Sequence, residues 1–375
     1  MHFLIASDKW KDSLTSLEAC RAIEEGILEV FPQATLQFTP VADGGDGFLE
    51  VIQFYGKWQQ VACQVKNPLF QPITTFYALS DDKQTAFIEM AKASGLALLP
   101  HHQRNPCRTT SYGTGELLRH ALESGAKNIF LGIGGSATND AGIGMAAALG
   151  YRFLDENGNE LLPIGENLMK IAVIDAKNIH PRLKETQVTV ACDVRHVFYG
   201  EKGAAHTFAP QKGASPADVL QLDEGLKRMA DIFQRQFGVD VQKVEGSGAA
   251  GGLGGGAIAF LNARLQRGAT IVATVARLDE KIRQADIVIT GEGKLDAQSF
   301  QGKIVGEIYQ RCQALQKPLL VFCGTIDGEF SFPLLEVFSI AIAPCTLDEI
   351  RPKTHDLLKK AVRRVLHAGQ LLLKK

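Results

Sequence analysis

Charge of one sign is what this sequence lacks first. Its 375 residues carry 40 Lys and Arg against 41 Asp and Glu, a formal net charge of −1 at pH 7. No Lys/Arg run with interleaved aromatics occurs, so nothing supports a nucleic-acid footprint. Long apolar runs are missing too: no stretch reaches membrane-spanning length, and the opening MHFLIASDKWKD is too short in apolar residues for a signal peptide. The expectation is a soluble, cytoplasmic protein with no nucleic-acid or membrane partner. The seven cysteines are odd in number, scattered and without a C-x-x-C pair, which reads as reduced core thiols and argues against structural zinc. G-x-x-x-x-G-K-[ST], H-E-x-x-H and G-x-S-x-G are all absent, which excludes a P-loop, a zincin helix and a nucleophile elbow.

Glycine, in contrast, is plentiful and clustered. In the stretch from Asn128 to Gly150, NIFLGIGGSATNDAGIGMAAALG, an uncharged run predicts a buried strand that Gly134, Gly135 and Ser136 interrupt before a helix. Small residues there leave amides uncovered, and Asn139 and Asp140 supply cap oxygens, so the turn suits an anion such as phosphate. A tightly packed strand-to-helix turn is the structural alternative. Gly132 to Ala137 also fits the loose G-x-G-x-x-[GA] fingerprint, which raises an NAD-dependent hydroxy-acid dehydrogenase as a rival. Its would-be acidic partner, Asp155, lies in what looks like a hairpin turn. A second segment, Gly246 to Gly256, is too glycine-dense for a helix interior on propensity. It reads either as a linker or as a ligand-wrapping loop leading into a helix over 257–265.

A chain this long suits two domains. Strands at 2–7 and 35–40 flank a helix at 17–31, a β-α-β start with loops at the carboxyl ends of its strands. From Gln59 the pattern changes to short strands at 59–65, 73–79 and 85–90, an antiparallel meander. Helices follow at 114–124, after Asn139 and at 218–237, with a strand at 188–192. Parallel-sheet character returns with strands at 287–290, 319–323 and 340–343 and helices at about 304–315 and 332–338. The expected architecture is α/β: residues 1–58 and 285–375 form one discontinuous domain with a parallel sheet, and residues 59–284 form an inserted α/β domain.

Carboxylates gather where strands end: Asp8, Asp43, Asp46, Asp193, Glu292 and Asp296. Beside glycines, they suit a hydrated Mg2+ and activation of a hydroxyl. Each alone reads more readily as a turn or cap residue, but several at equivalent positions strain that reading. Lys9, Lys11, Arg108, Lys212, Lys294 and Lys303 are basic candidates, with solvated surface as the plain alternative.

The segments ASDKWKDSLTS, PVADGGDG, RTTSYGTGEL, GIGGSATNDAGIGM, ACDV, FAPQKGA, SGAAGGLGGG and ITGEGKLDAQS, in this order, resemble the type 1 glycerate kinases over roughly residues 1 to 325. The resemblance implies ATP-dependent phosphorylation of D-glycerate, usually to 2-phosphoglycerate. It also implies a flavodoxin-like domain with a second domain whose mixed-sheet core resembles restriction enzymes. Glycerate 3-kinase activity, or kinase activity on a related small hydroxy acid, stays open. So does the dehydrogenase, and so does a non-catalytic anion-binding protein, although strand-end carboxylates would repel its ligand. The family's opening loop commonly reads A-P-D-S-F-K-G-S-L; here Asp8, Lys11 and Ser13 persist while the Pro and Gly do not. Asp46 replaces the usual Glu, and Ala141 a common Gly.

For a kinase of this kind, phosphoryl transfer needs positioning and charge neutralisation in a cleft between the domains, which are expected to close on substrate. The catalytic candidates are Asp193 or Asp8 as base, with Lys11 and Lys294 on phosphate or carboxylate. Substrate and phosphate binding falls to Gly44, Gly45, Arg108, Gly134, Gly135, Ser136, Ala137, Thr138, Asn139, Gly251, Gly252, Gly254, Glu292 and Ser299. Asp43 and Asp296 are the candidates for Mg2+. The expected partners are D-glycerate and ATP, and self-association as a homodimer is left open.

Overall fold

His2–Ile5 is an apolar run whose last three side chains are buried, and Phe3, Leu4 and Ile5 could find that burial only inside a covered parallel sheet. A computed structural model describes residues 1–42, 48–300, 303–341 and 347–373. Among these the strands run β1 (His2–Ile5), β2 (Thr35–Phe38), β3 (Trp58–Lys66), β4 (Pro72–Ser80), β5 (Thr85–Glu89), β6 (Asn128–Gly132), β7 (Arg152–Leu154), β8 (Val173–Asp175), β9 (Gln187–Ala191), β10 (Arg264–Gln266), β11 (Ile287–Leu295), β12 (Leu319–Ile326) and β13 (Leu335–Ser339). Contacts divide the chain into a unit of residues 1–55 with 267–375 and a unit of residues 56–266. The return to the first unit thus precedes residue 285. The helices Gly268–Val275 and Leu278–Gln284 belong to the first unit, where the former packs on the helices Phe48–Phe54 and Ile304–Ala314.

The first unit is a five-stranded sheet in the order β13-β12-β11-β1-β2, parallel throughout. Counted within the unit this is 2-1-3-4-5, the flavodoxin-like order, whose switch point lies between β1 and β11. The helix Ser16–Leu28 starts at a capping box in which Thr15 and Glu18 exchange hydrogen bonds. Gly26 lets the C-terminal helix Thr354–Leu373 approach closely, since a Cβ there would stand 2.6 Å from the Lys359 carbonyl oxygen. Ion pairs from Lys359 to Glu25 and Glu29 line the same contact.

Two expectations fail here. The segment expected as a helix over 332–338 forms strand β13, paired with β12 from Leu319–Leu335 to Cys323–Ser339. Pro333 interrupts helical pairing, and the edge of the sheet offers Leu335 a buried place. The strand expected at 340–343 therefore lies earlier, and residues 342–346 are outside the described set.

The second unit is a six-stranded mixed sheet in the order β10-β9-β6-β5-β4-β3. The meander β3-β4-β5 is antiparallel, as its close spacing and turns dictate, and β5, β6, β9 and β10 continue it in parallel. Helix Pro216–Phe237 begins at the Ser215/Asp218 capping box and ends at Gly238, φ 71°. Its apolar face, with Leu222, Leu226, Met229 and Phe233, enters the unit's core beside Phe198 and Phe260. Within the Gly-rich segment Ala250, Gly251 and Gly252 are left-handed, a kink that leads into a helix ending at Leu261, close to the expected loop that hands over to a helix. The helix stops short of the expected Leu265: Asn262 turns left-handed, and β10 pairs with β9.

Candidate active site

In the first unit the site grows from the switch point. After β1 the Asp8 amide donates to the Gly291 carbonyl at 3.0 Å, tying the loop to β11. Trp10 is buried against Gly291, where an added Cβ would stand 3.1 Å from the indole, and its Nε1 donates to Ser7 Oγ at 3.3 Å. Asp8 and Glu292 are thereby held at the carboxyl edge of adjacent strands, 8% and 7% exposed. A cavity of about 380 Å3 is lined by Asp8, Lys11, Glu292, Lys294, Lys303 and Arg351, and a neighbouring one of about 440 Å3 shares Asp8–Ser13 with it. Lys294 pairs with Asp327 at 2.8 Å, which raises its pKa and keeps it an ammonium, and lies 3.8 Å from Asp296.

Asp296, expected on a metal, caps a turn. Its carboxylate accepts from the Gln298 and Ser299 amides at 2.9 and 3.3 Å, while its own amide donates to the buried Ser299 hydroxyl. Ser299 is thus tied into the same turn. Asp43, Gly44 and Gly45, with Asp46, lie outside the described residues. Among the described residues no group of three His, Cys, Asp or Glu is arranged to hold a metal. Asp8 and Glu292 instead offer a two-carboxylate oxygen set, which fits Mg2+ because that ion keeps most of its shell as water and phosphate oxygen.

The second unit carries its own cluster. Gly132 in β6 is in register with Ala191 in β9, so Gly134–Gly135 and Asp193 emerge at one sheet edge, all three exposed. Gly135 has φ 72°, and its carbonyl accepts from Leu96. The Ala137 carbonyl accepts from the Thr109 hydroxyl at 2.8 Å, which brings exposed Arg108 beside the loop. Ser136, Ala137, Thr138 and Asn139 turn inward and are buried. Thr138 Oγ1 and both side-chain polar atoms of Asn139 have no hydrogen-bond partner, and neither has Ser247 Oγ.

Gly251, Gly252 and Gly254 are buried as well, and none lies open as a cradle. A Cβ on Gly251 would meet the Thr138 carbonyl oxygen at 2.1 Å, and one on Gly254 the Gly246 oxygen at 2.5 Å. These glycines allow backbone to pack on backbone. The helix Ile143–Ala148 is short, and its amino end is already filled by Asp140, whose carboxylate accepts from Gly142 N, Gly144 N, Ser111 N and Ser111 Oγ. An anion here would meet the exposed Gly134–Gly135 turn, not the helix terminus.

Lys212 is the residue that sequence reasoning undervalued. Its Nζ is fully enclosed and donates to Ser136 Oγ and the Thr138 carbonyl, each at 2.7 Å. Burial pushes its pKa down to about 7, and the nearby Asp140 charge opposes that shift. Burial raises the Asp140 pKa while its four donors favour the ionised form. The only signal in the sequence was the presence of Lys212 in FAPQKGA, with no pattern to show that it turns inward.

A model of the glycerate kinase family matches residues 3–370. The chain belongs to the glycerate kinase family. It is a kinase, as the motif resemblance implied. A relative from Escherichia coli (strain K12), glycerate 2-kinase, is 42% identical over 369 residues, covering 97% of each chain. A glycerate kinase from Halalkalibacterium halodurans is 41% identical over 366 residues, covering 96% of each. A crystal structure assigned as glycerate kinase 2 from Salmonella typhimurium LT2 superimposes with a TM-score of 0.89 at 41% identity, covering 99% of both chains. The dehydrogenase alternative falls with these matches. Asp155 accepts from the Asn157 and Asn159 amides in a tight turn after β7, whose partner β8 is antiparallel, so it is not the strand-end acid a dinucleotide ribose requires. No helix among the described residues is long and apolar enough to cross a membrane.

Proposed function

We propose that the protein transfers the γ-phosphoryl group of ATP to the C2 hydroxyl of D-glycerate, giving ADP and 2-phosphoglycerate. The observation that carries this reading is the first unit's cavity, where Asp8 and Glu292 stand with Lys11, Lys294 and Lys303 at the switch point of a parallel sheet. Such a mixture of buried carboxylate and cation suits a metal-bound polyphosphate. A Mg2+ held by Asp8 and Glu292 would neutralise phosphate charge there. The three lysines would take the remaining negative charge as it builds on the transferring group.

Glycerate is assigned to the second unit, its carboxylate at the Gly134–Gly135 amides and Arg108, its hydroxyl beside Asp193. Asp193 then removes the hydroxyl proton as oxygen attacks the γ-phosphorus and the bond to the β,γ-bridging oxygen breaks. The transfer requires water to be kept from the γ-phosphorus and the acceptor hydroxyl while the two react. The name of the Escherichia coli relative favours C2 over C3. The six described cysteines are free and buried, which fits a cytoplasmic setting.

The test is ADP release with a panel of short hydroxy acids, followed by phosphorus NMR of the product. D-glycerate giving 2-phosphoglycerate supports the reading. A 3-phosphate product corrects the position, and absence of ADP with every acid overturns it.

A further inference from the structure

Both cavities of the first unit share the loop from Asp8 to Ser13. Its inner end is anchored by the buried Trp10. From there the chain folds back in a tight turn: the Ser13 and Leu14 amides donate to the Trp10 carbonyl at 2.9 and 3.0 Å, and the Trp10 amide donates to the Leu14 carbonyl at 2.8 Å. Closing this turn sets Asp12 at φ 59°, a left-handed conformation that Asp tolerates better than most residues but does not favour. Something must hold it there. The outer side of the loop meets the short turn Arg351–Lys353 that leads into the C-terminal helix. Arg351 Nη2 lies 3.2 Å from Asp12 Oδ2, and the Ser13 hydroxyl donates to the Arg351 carbonyl at 3.1 Å. Thr354, buried at the helix start, bonds the same hydroxyl.

We propose that Arg351 is a positioning residue for the Asp8–Ser13 loop, acting through Asp12 to hold the left-handed turn and so direct Lys11 to the cavity. The C-terminal helix, remote in sequence, becomes part of the binding machinery by this clasp. The proposal rests on the reading of the cavity as the ATP phosphate site. The pair is 42% and 56% exposed, so breaking it loosens the loop without unfolding the unit.

The experiment is a double-mutant cycle in the full-length protein with Arg351→Gln, Asp12→Asn and both together; Asn keeps the tolerance for positive φ and removes the charge. Each single change is expected to raise KM for ATP about three- to fivefold with kcat within twofold, and the double no further than either single. Arg351→Lys should restore most of the loss. Hydrogen exchange of the 8–15 segment, read without substrate, should accelerate equally in all three neutralised variants. An Arg351→Gln effect of the same size in the Asp12→Asn background, or unchanged exchange in that segment, overturns the proposal. If the wild type releases no ADP with any acid, the proposed function fails, while the exchange cycle still decides the clasp.

Discussion

Lys212 places its Nζ 2.7 Å from the Ser136 hydroxyl oxygen inside the second unit, with the Thr138 carbonyl as its other acceptor. A lysine enclosed this way is a brace. It spans two turns of the Gly-rich loop and fixes the segment that leads from the exposed Gly134–Gly135 bend to the buried Asn139. Neutral or protonated, the amine has enough N–H groups for both bonds. The brace therefore survives loss of its charge.

That burial has a pH signature. The folded pKa near 7 lies below the ordinary 10.5, so between these values the unfolded chain binds the proton that the folded chain has lost. Below pH 7 the cost of enclosing an ammonium is present in full. Stability then rises with pH across the window by a slope approaching about 1.4 kcal/mol per pH unit, and levels off above it. Urea unfolding of wild type and Lys212→Met at pH 7 to 10 should show a stability difference that climbs in favour of the wild type. A pH-independent difference would place the amine in water.

Asp140 is a buried acceptor for four donors. Asp140→Ala leaves all four unsatisfied and is expected to destabilise the protein by about 3–5 kcal/mol, measured by chemical denaturation. A loss under about 1 kcal/mol would mean that the loop rearranges around the missing cap.

Two glycines at positive φ separate conformational strain from collision. Gly158, φ 81°, has nothing within 4 Å of an added Cβ, so Gly158→Ala should cost about 1 kcal/mol from backbone strain alone. Gly251, φ 68°, would drive a Cβ onto the Thr138 carbonyl, so Gly251→Ala should cost at least about 2 kcal/mol more and lower turnover by displacing the loop. Equal melting temperatures for the two variants would contradict this packing.

Asp193 is exposed at the end of β9, so Asp193→Asn should leave the melting temperature nearly unchanged. As the proposed base, its loss should lower kcat by about 10²–10⁴-fold. A kcat within threefold of wild type removes Asp193 from the role, and the same assay on Asp8→Asn then tests the other candidate.

Local chemistry made much of the scaffold legible. Thr15 with Glu18 and Ser215 with Asp218 start helices through bonds only a few residues long, and the uncharged runs of β1, β6 and residues 287–291 of β11 can sit only in covered parallel strands. The ordered motifs carried the family as well, because each preserves the residues of one loop. What the sequence could not disclose depends on partners far away along the chain. Residues 250–252 turn left-handed and 253–261 are helical despite their glycines because bare backbone there packs on residues 138–142 and 246–247. Likewise Lys212 turns inward because two acceptors near residue 137 await it, and Asp296 bonds its own turn instead of standing open. Hydrophobic pattern and capping signals act within a few residues and can be read in order. Burial of a charge, or the closeness of two backbones, exists only after distant segments have met, and it was the tertiary structure that decided them.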